Sequence, residues 1–439
     1  MKDISVSAKF DRNKILASEN PDRYLLVDLE SASQRSPSNL PLNVALVIDA
    51  SGSMEGQWIE SAKFAAEEII ESMGNNDRIS VISFSSDVQV HSDGVVCNKN
   101  GKAEAIGRIR ELQTRAATDL GAGWLSGAES AARVMAHSTA QLTSRVIVLS
   151  DGMANQGTID PRQLGDQAGQ LLYRGVMSSC IGIGPHYSST QLEAIATHGG
   201  GSLHHASRPN EISEIVVAEL RSMRSLVAQG LQLEISADAK VEIECLSEYP
   251  EIGTGLFNAC SAKKTFSVGS LVSGASRDAI FRIRCQEPVN PGVMVVNVVA
   301  KWQSPDGYST DNSDSAEASL SIVRPFGTPM PELDQRVAER VARVWLARAV
   351  RKAIELNTDG YYQEAVAQLK SQRPRFVAYC DSLSVGPALV SEWDQALVKT
   401  GSFVEPIMAK EMSVNALHCS RSVIDVRKEK YRGGWTAVK

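Results

Sequence analysis

Three stretches carry oxygen donors suited to a hard cation: LVIDASGSMEG, RAATDLGAGW and RVIVLSDGMAN. The first places Asp49, Ser51 and Ser53 on the turn after a buried run, so one carboxylate and two hydroxyls point at one spot. Thr118 falls on the loop before a helix at Gly121, and Asp151 falls at the end of another buried run. All are hard ligands, fitting Mg2+ with its octahedral preference and retained waters; Mn2+ or Ca2+ are the alternatives. The chemistry expected is cation binding through oxygen.

The elements that must bring these loops together are legible in the apolar pattern. NVALVID and RVIVLSD are continuous apolar runs, the mark of strands buried on both faces. RISVISF and MSSCIGIG have the same character, diluted by small polar residues. Helix-like stretches separate them at Gln57–Met73, Gly101–Gln113, Gly121–Ala136 and Pro161–Arg174, with another at Asn210–Val227 closing the unit. Alternating strands and helices with short connections predict a doubly wound α/β fold, Rossmann-like, with a mostly parallel sheet. In such a sheet ligands sit outside the carboxyl ends of the strands, near a topological switch point, where all three loops belong.

Outside this unit the pattern changes twice. Ile4, Val6, Ala8 and Phe10 alternate, as do Leu25, Val27 and Leu29, before a Ser- and Pro-rich linker at Ser31–Pro41. After Gly230, Leu231/Leu233/Ile235, Phe281/Ile283/Cys285 and Ala316/Ala318/Leu320/Ile322 alternate with polar partners. These runs predict an antiparallel β-sandwich, which the two N-terminal strands are expected to complete. Beyond Pro331, Leu333, Val337, Val341, Val344 and Ala347 form one stripe of an amphipathic helix. Asp359-Gly360 breaks it, a second helix carries Tyr362, Ala365 and Leu369, and a third carries Leu389, Trp393 and Leu397. The expected divisions are 1–41, N-terminal strands; 42–227, the α/β domain; 228–325, the sandwich; and 326–439, a C-terminal α-helical region with a tail.

Composition narrows the function. A net charge of −6 over 439 residues gives no reason to expect nucleic-acid binding or attraction to an anionic membrane. No apolar run is long enough for a membrane span, and the N-terminus lacks the apolar core of a signal peptide. The seven cysteines, at 97, 180, 245, 260, 285, 380 and 419, form no C-x-x-C pair and read as reduced, hence cytoplasmic. His418-Cys419 lacks a second ligand pair for zinc, and His204-His205 read as strand residues, one in and one out. Gly182 and Gly184 fail the dinucleotide-loop spacing at Tyr187, and Gly433-Gly434 reads as a turn.

The ordered set D-x-S-x-S…T…D resembles the metal-ion-dependent adhesion site (MIDAS) of the von Willebrand factor A (VWA) family, over approximately Asn43 to Val227. GIGPHYSSTQLEAIATHGGGSLHHA is similar to that family's closing strand, helix and strand, and VAQGLQLEI is similar to a bacterial subgroup in which a β-sandwich follows. The resemblance implies that Ser51 and Ser53 coordinate the metal directly and Thr118 directly or through water. It implies that Asp49 and Asp151 act mainly through bound waters, leaving the last position to a Glu or Asp carboxylate from a protein partner. It further implies that the helix at Asn210–Val227 shifts with metal state, and that the partner class is an AAA+ ATPase, protein kinase or phosphatase.

Other readings stand beside this one. Ser51 and Ser53 would also serve as helix caps, and Asp151-Gly152 as an ordinary turn. An Mg2+-dependent phosphohydrolase would also place an Asp at the end of the first strand, but it usually has a second Asp where Ser51 stands. No phosphate-cradling G-x-x-x-x-G-K-[ST] loop or G-x-S-x-G elbow occurs, so the expectation is a non-enzyme. A third reading is a structural scaffold with a vestigial metal site.

Overall fold

The computed structural model describes residues 4–16, 22–31, 40–115, 117–237, 241–253, 263–285, 291–324 and 332–422. Most of the Ser- and Pro-rich stretch, Cys260 and the Gly433-Gly434 pair lie outside these residues.

The chain opens with strands β1 (Ile4–Phe10), β2 (Lys14–Leu16) and β3 (Arg23–Ser31). The α/β unit follows as β4 (Leu42–Asp49), α1 (Gln57–Ser72), β5 (Arg78–Phe84), β6 (Val88–Val96), α2 (Lys99–Arg110), α3 (Leu120–His137), β7 (Thr143–Ser150), α4 (Pro161–Tyr173), β8 (Val176–Ile183), α5 (Ser189–His198), β9 (Gly200–Ala206) and α6 (Glu211–Arg224). Its strands lie in the order β6-β5-β4-β7-β8-β9, all parallel except β6. The continuous apolar character of β4 now has a physical cause. Val44, Leu46 and Ile48 pack beneath α1, α2 and α6, while Ala45 and Val47 pack beneath α3, α4 and α5. A strand covered on both faces cannot alternate with polar residues.

Local chemistry sets the helix starts. Asn98 accepts from Gly101 N–H to begin α2, Asp119 from Ala122 N–H to begin α3, Asp160 from Arg162 N–H to begin α4, and Ser188 from Gln191 N–H to begin α5. Each such cap contributes about 1 kcal/mol. Small residues let α3 lie close on the sheet. A side chain on Gly123 would begin 2.4 Å from the Phe84 ring, and one on Gly127 would begin 2.4 Å from Val47 Cγ2.

The antiparallel edge strand β6 has no counterpart in the apolar pattern. Its register against β5 shifts twice, and Gly94 adopts a φ of 64°, so two-residue alternation is broken. His204 and His205 are both buried, not one in and one out: His204 reaches Glu219 of α6, and His205 lies against the Tyr187 ring. Packing also explains Gly182, where a side chain would begin 2.3 Å from Tyr187.

The sandwich contains β10 (Leu226–Ala237), β11 (Val241–Cys245), β12 (Glu251–Ile252), β13 (Lys263–Val272), β14 (Ser276–Cys285), β15 (Gly292–Gln303), β16 (Thr310–Asn312) and β17 (Ala316–Val323). One sheet runs β1-β3-β14-β11 and the other β12-β13-β10-β15-β17-β2, with β16 beside β15. Ile4, Phe10, Leu25, Val27 and Leu29 share a core with Leu233, Phe281 and Leu320. The α/β unit is thus inserted in sequence between β3 and β10.

Among the described residues four helices follow: α7 (Gln335–Thr358), α8 (Tyr362–Cys380), α9 (Gly386–Thr400) and α10 (Pro406–Ser420). The sequence pattern reveals three of them; α10 is an addition. Val337, Val341 and Val344 of α7 cover Leu26 and Ile280 of the sandwich, while Trp393 stacks on Phe376 at 4.4 Å in the bundle core. Helix α10 returns to the α/β unit. Val414 joins the core beneath α3, α4 and α5, and His418 Nε2 lies 2.8 Å from the Leu203 carbonyl oxygen. His418 is therefore occupied by a backbone partner, and among the described residues all six cysteines are free thiols.

Candidate metal centre

The site sits where the strand order reverses, the chain adding β5 on one side of β4 and β7 on the other. β4 and β7 are neighbours, yet β4 leads to α1 on one face and β7 leads to α4 on the other. Their diverging loops leave a crevice at the carboxyl ends of the strands, the usual ligand position in open α/β sheets. Asp49 is the last residue of β4, and Asp151 follows the last residue of β7.

Hydrogen bonds connect four of the five expected residues in one line. Ser51 N–H donates to Asp49 Oδ1 at 2.9 Å, Ser51 Oγ lies 3.1 Å from Ser53 Oγ, and Ser53 Oγ donates to Asp151 Oδ1 at 2.7 Å. Thr118 enters from the third loop. A side chain on Gly152 would begin 3.3 Å from Thr118 Oγ1 and 3.6 Å from Asp49 Oδ2, so both oxygens converge over this glycine. The Thr118 loop is stitched to the first loop by Arg115 N–H, which donates to the Ala50 carbonyl at 2.6 Å. Ala117, just before Thr118, has a φ of 59°, an uncommon conformation for a residue with a side chain.

The capping alternative finds no support in this geometry. Ser51 precedes a short 3-10 turn at Gly52–Met54 and makes no capping hydrogen bond; its hydroxyl faces Ser53 instead. Gly56, not a serine, occupies the N-cap of α1. Asp151 is more than a turn residue, being buried and bonded across the crevice. Asp119 caps α3 and packs against Gly157, apart from the hydroxyl line.

Electrostatics explain what this cluster lacks. Burial pushes Asp49 above its ordinary carboxylate value, although the hydroxyls of Ser150 and Ser51 pull it back. Burial likewise pushes Asp151 up to about 6, with the Asp49 charge adding to the rise and Ser53 opposing it. Two desolvated carboxylates beside three hydroxyls form an all-oxygen donor set with uncompensated negative charge, and a divalent cation fits it. Among the described residues no cluster of three or more His, Cys, Asp or Glu side chains offers an alternative metal site.

Sequence patterns miss three contributors. Ser150 Oγ donates to Asp49 Oδ2 at 2.6 Å, Asn155 bonds the Thr118 backbone, and Gln191 bonds Ala154 and Ile159. Only Ser150 carried a signal, as the polar end of a buried strand.

A family model for the von Willebrand factor type A domain matches residues 43–218, the unit whose switch-point crevice is lined with oxygens. The chain belongs to this family. Its relatives include the uncharacterized protein sll0103 of Synechocystis, 31% identical over 338 residues, covering 75% of this chain and 77% of the relative. The fold of nearly the whole chain is shared with two solved structures. One is a von Willebrand factor type A protein from Catenulispora acidiphila, with a TM-score of 0.71 at 18% identity, covering 94% of this chain and 96% of that one. The other is the ArnB paralog VWA2 from Sulfolobus acidocaldarius, with a TM-score of 0.60 at 14% identity, covering 97% and 100%.

Proposed function

We propose that this protein is a metal-dependent protein-binding module. Asp49, Ser51, Ser53, Thr118 and Asp151 would hold Mg2+, with Mn2+ or Ca2+ as substitutes, and a Glu or Asp carboxylate of a protein partner would complete the shell. The observation that carries this reading is the Asp49–Ser51–Ser53–Asp151 line, which gathers two buried carboxylates and leaves their charge unmatched. A bound cation supplies that missing positive charge and an electrophilic position open to an anionic side chain. The chain's own residues orient the donors and keep the crevice partly dry.

Catalysis has less support. The position two residues after Asp49 is a serine bonded to its neighbours, and no second carboxylate stands there as acid or base. A vestigial site is also disfavoured, because all five donors remain and four form one connected line. Within the cytoplasmic setting suggested by the cysteines, partners of the AAA+ ATPase, kinase or phosphatase classes are the first to try. Among the described residues no helix is long and apolar enough to cross a membrane.

The test is calorimetric titration of Mg2+ and Mn2+ into chelator-treated protein beside a Ser51→Ala/Ser53→Ala variant. Saturable one-site binding that the variant loses is expected. Unchanged binding in the variant would place the metal elsewhere and overturn the proposal.

A further inference from the structure

The loop from Asp151 to the α4 cap at Asp160 has no regular structure, yet it carries a carboxylate that must meet the donors of two other loops. Such a segment does not hold a side chain in place unaided. Two residues outside the D-x-S-x-S…T…D set supply the constraint.

Gln191, in the first turn of α5, is 7% exposed, and both ends of its amide bind this loop. Its Oε1 accepts from Ala154 N–H at 3.2 Å, and its Nε2 donates to the Ile159 carbonyl at 3.0 Å. One side chain therefore closes the stretch from 154 to 159 against α5. Asn155 faces the opposite way. Its backbone N–H donates to the Thr118 carbonyl at 3.1 Å, and its Oδ1 accepts from Thr118 N–H at 3.1 Å. Gly157, with a φ of 70°, lets the same loop lie against the Asp119 carboxylate, where any side chain would begin 2.4 Å from Asp119 Oδ1.

We infer that Gln191 and Asn155 are positioning residues for the metal centre: Gln191 clamps the Asp151 loop, and Asn155 locks that loop to Thr118 so that the two move as one body. This inference rests on the metal-binding reading above and deepens it. Neither residue belongs to the five-donor set; the bonds they make to this loop and to Thr118 go to backbone groups. Their effect is to fix Asp151 and Thr118 relative to each other before a cation arrives, the role that outer partners play for metal ligands generally. The clamp is in turn held from α10. Lys410 Nζ donates to Ser189 Oγ at 2.8 Å, two residues before Gln191, and lies 4.8 Å from the centre of the Tyr187 ring.

The test uses the full chain and Mn2+ as probe, titrated by calorimetry and by electron paramagnetic resonance. Gln191→Met keeps length and apolar bulk while deleting both hydrogen bonds, and Asn155→Ala deletes the link from Asn155 Oδ1 to Thr118 N–H. Each is expected to weaken Mn2+ binding roughly ten- to a hundredfold. The double variant should lose less than the product of the two, because both act through one loop. Asn155→Asp, which keeps the acceptor oxygen, should restore most of the Asn155→Ala loss. Urea midpoints of the chelated variants should fall modestly, as the deleted hydrogen bonds require, and the size of that fall should not track the loss of Mn2+ affinity.

Parent-like Mn2+ affinity in both single variants would overturn the inference. So would a loss that follows a lowered urea midpoint and is not rescued by Asn155→Asp, since that marks a merely structural role. Failure of the underlying reading looks different: the parent itself would show no Mn2+ binding sensitive to Ser51→Ala/Ser53→Ala, and both proposals would fall.

Discussion

Ser150, the last residue of β7, donates its hydroxyl to Asp49 Oδ2 at 2.6 Å, so the carboxylate ending one strand is held by the end of its neighbour. Asp49 is fully buried, and this hydrogen bond favours its charged form. Ser150→Ala leaves one lobe of a buried carboxylate without that donor. A loss of about 1–3 kcal/mol in metal-free stability is expected, measured by urea unfolding in chelator. A parent-like midpoint would show that water replaces the hydroxyl at no cost.

Cation binding should stabilise the fold by mass action. At an Mg2+ concentration a hundred times the dissociation constant, the gain is about 2.7 kcal/mol. The thermal midpoint should therefore rise with added Mg2+, fall back with chelator, and stay fixed in Ser51→Ala/Ser53→Ala. A rise of equal size in that variant would place the stabilising ion outside the crevice.

A second buried carboxylate predicts the acid response. Glu219 of α6 accepts from Arg145 at 2.6 Å and Ser179 at 2.7 Å, and lies 2.8 Å from His204 Nε2, tying α6 to three strands. Burial alone would raise its pKa, but Arg145, His204 and Ser179 outweigh that and hold it well below the ordinary 4.5. A depressed carboxyl contributes stability above its unfolded value and loses it as pH falls towards the folded one. Glu219→Gln leaves the Arg145 charge buried and unpaired, at roughly 3–5 kcal/mol. The gap between parent and variant in urea unfolding should narrow steadily as pH falls below about 4.5. A gap that widens below that pH would contradict this account.

Gly123 sets how closely α3 approaches the sheet. Gly123→Val puts atoms into the space of the Phe84 ring, and overpacking of this kind costs about 1–3 kcal/mol. Helix α3 starts two residues after Thr118, so displacing it should also weaken Mn2+ binding. Stability lost with unchanged metal affinity would show that the Thr118 loop absorbs the shift.

Much of this was legible in the sequence because short-range chemistry fixed it. Doubly covered strands such as β4 have to be apolar throughout, and donors at D-x-S-x-S spacing fall on a single turn. The sandwich strands showed themselves through alternation at Leu25, Val27 and Leu29 and at Phe281 and Ile283. What escaped depends on distant partners. Gln191 reads as an ordinary helix residue until Ala154 and Ile159 fold against it, more than thirty positions earlier. Asn155 looks like a turn residue until Thr118 lies beside it. The stripe of α10 is split between two neighbours, Val414 facing the α/β unit and Met412 the helical bundle, so no single apolar face stands out.

That division of α10 bears on how the protein is made. A ribosome delivers residues in order, and domains generally fold as they emerge. Here Ser31 bonds the Val272 carbonyl 241 positions later, and Leu203 meets His418, which lies 215 positions after it. Strand β3 emerges long before its sheet partner β14 exists, and β2 long before its partner β17. Biosynthesis of this chain therefore passes through a long interval with strand edges bare, a period in which chaperone protection would count most.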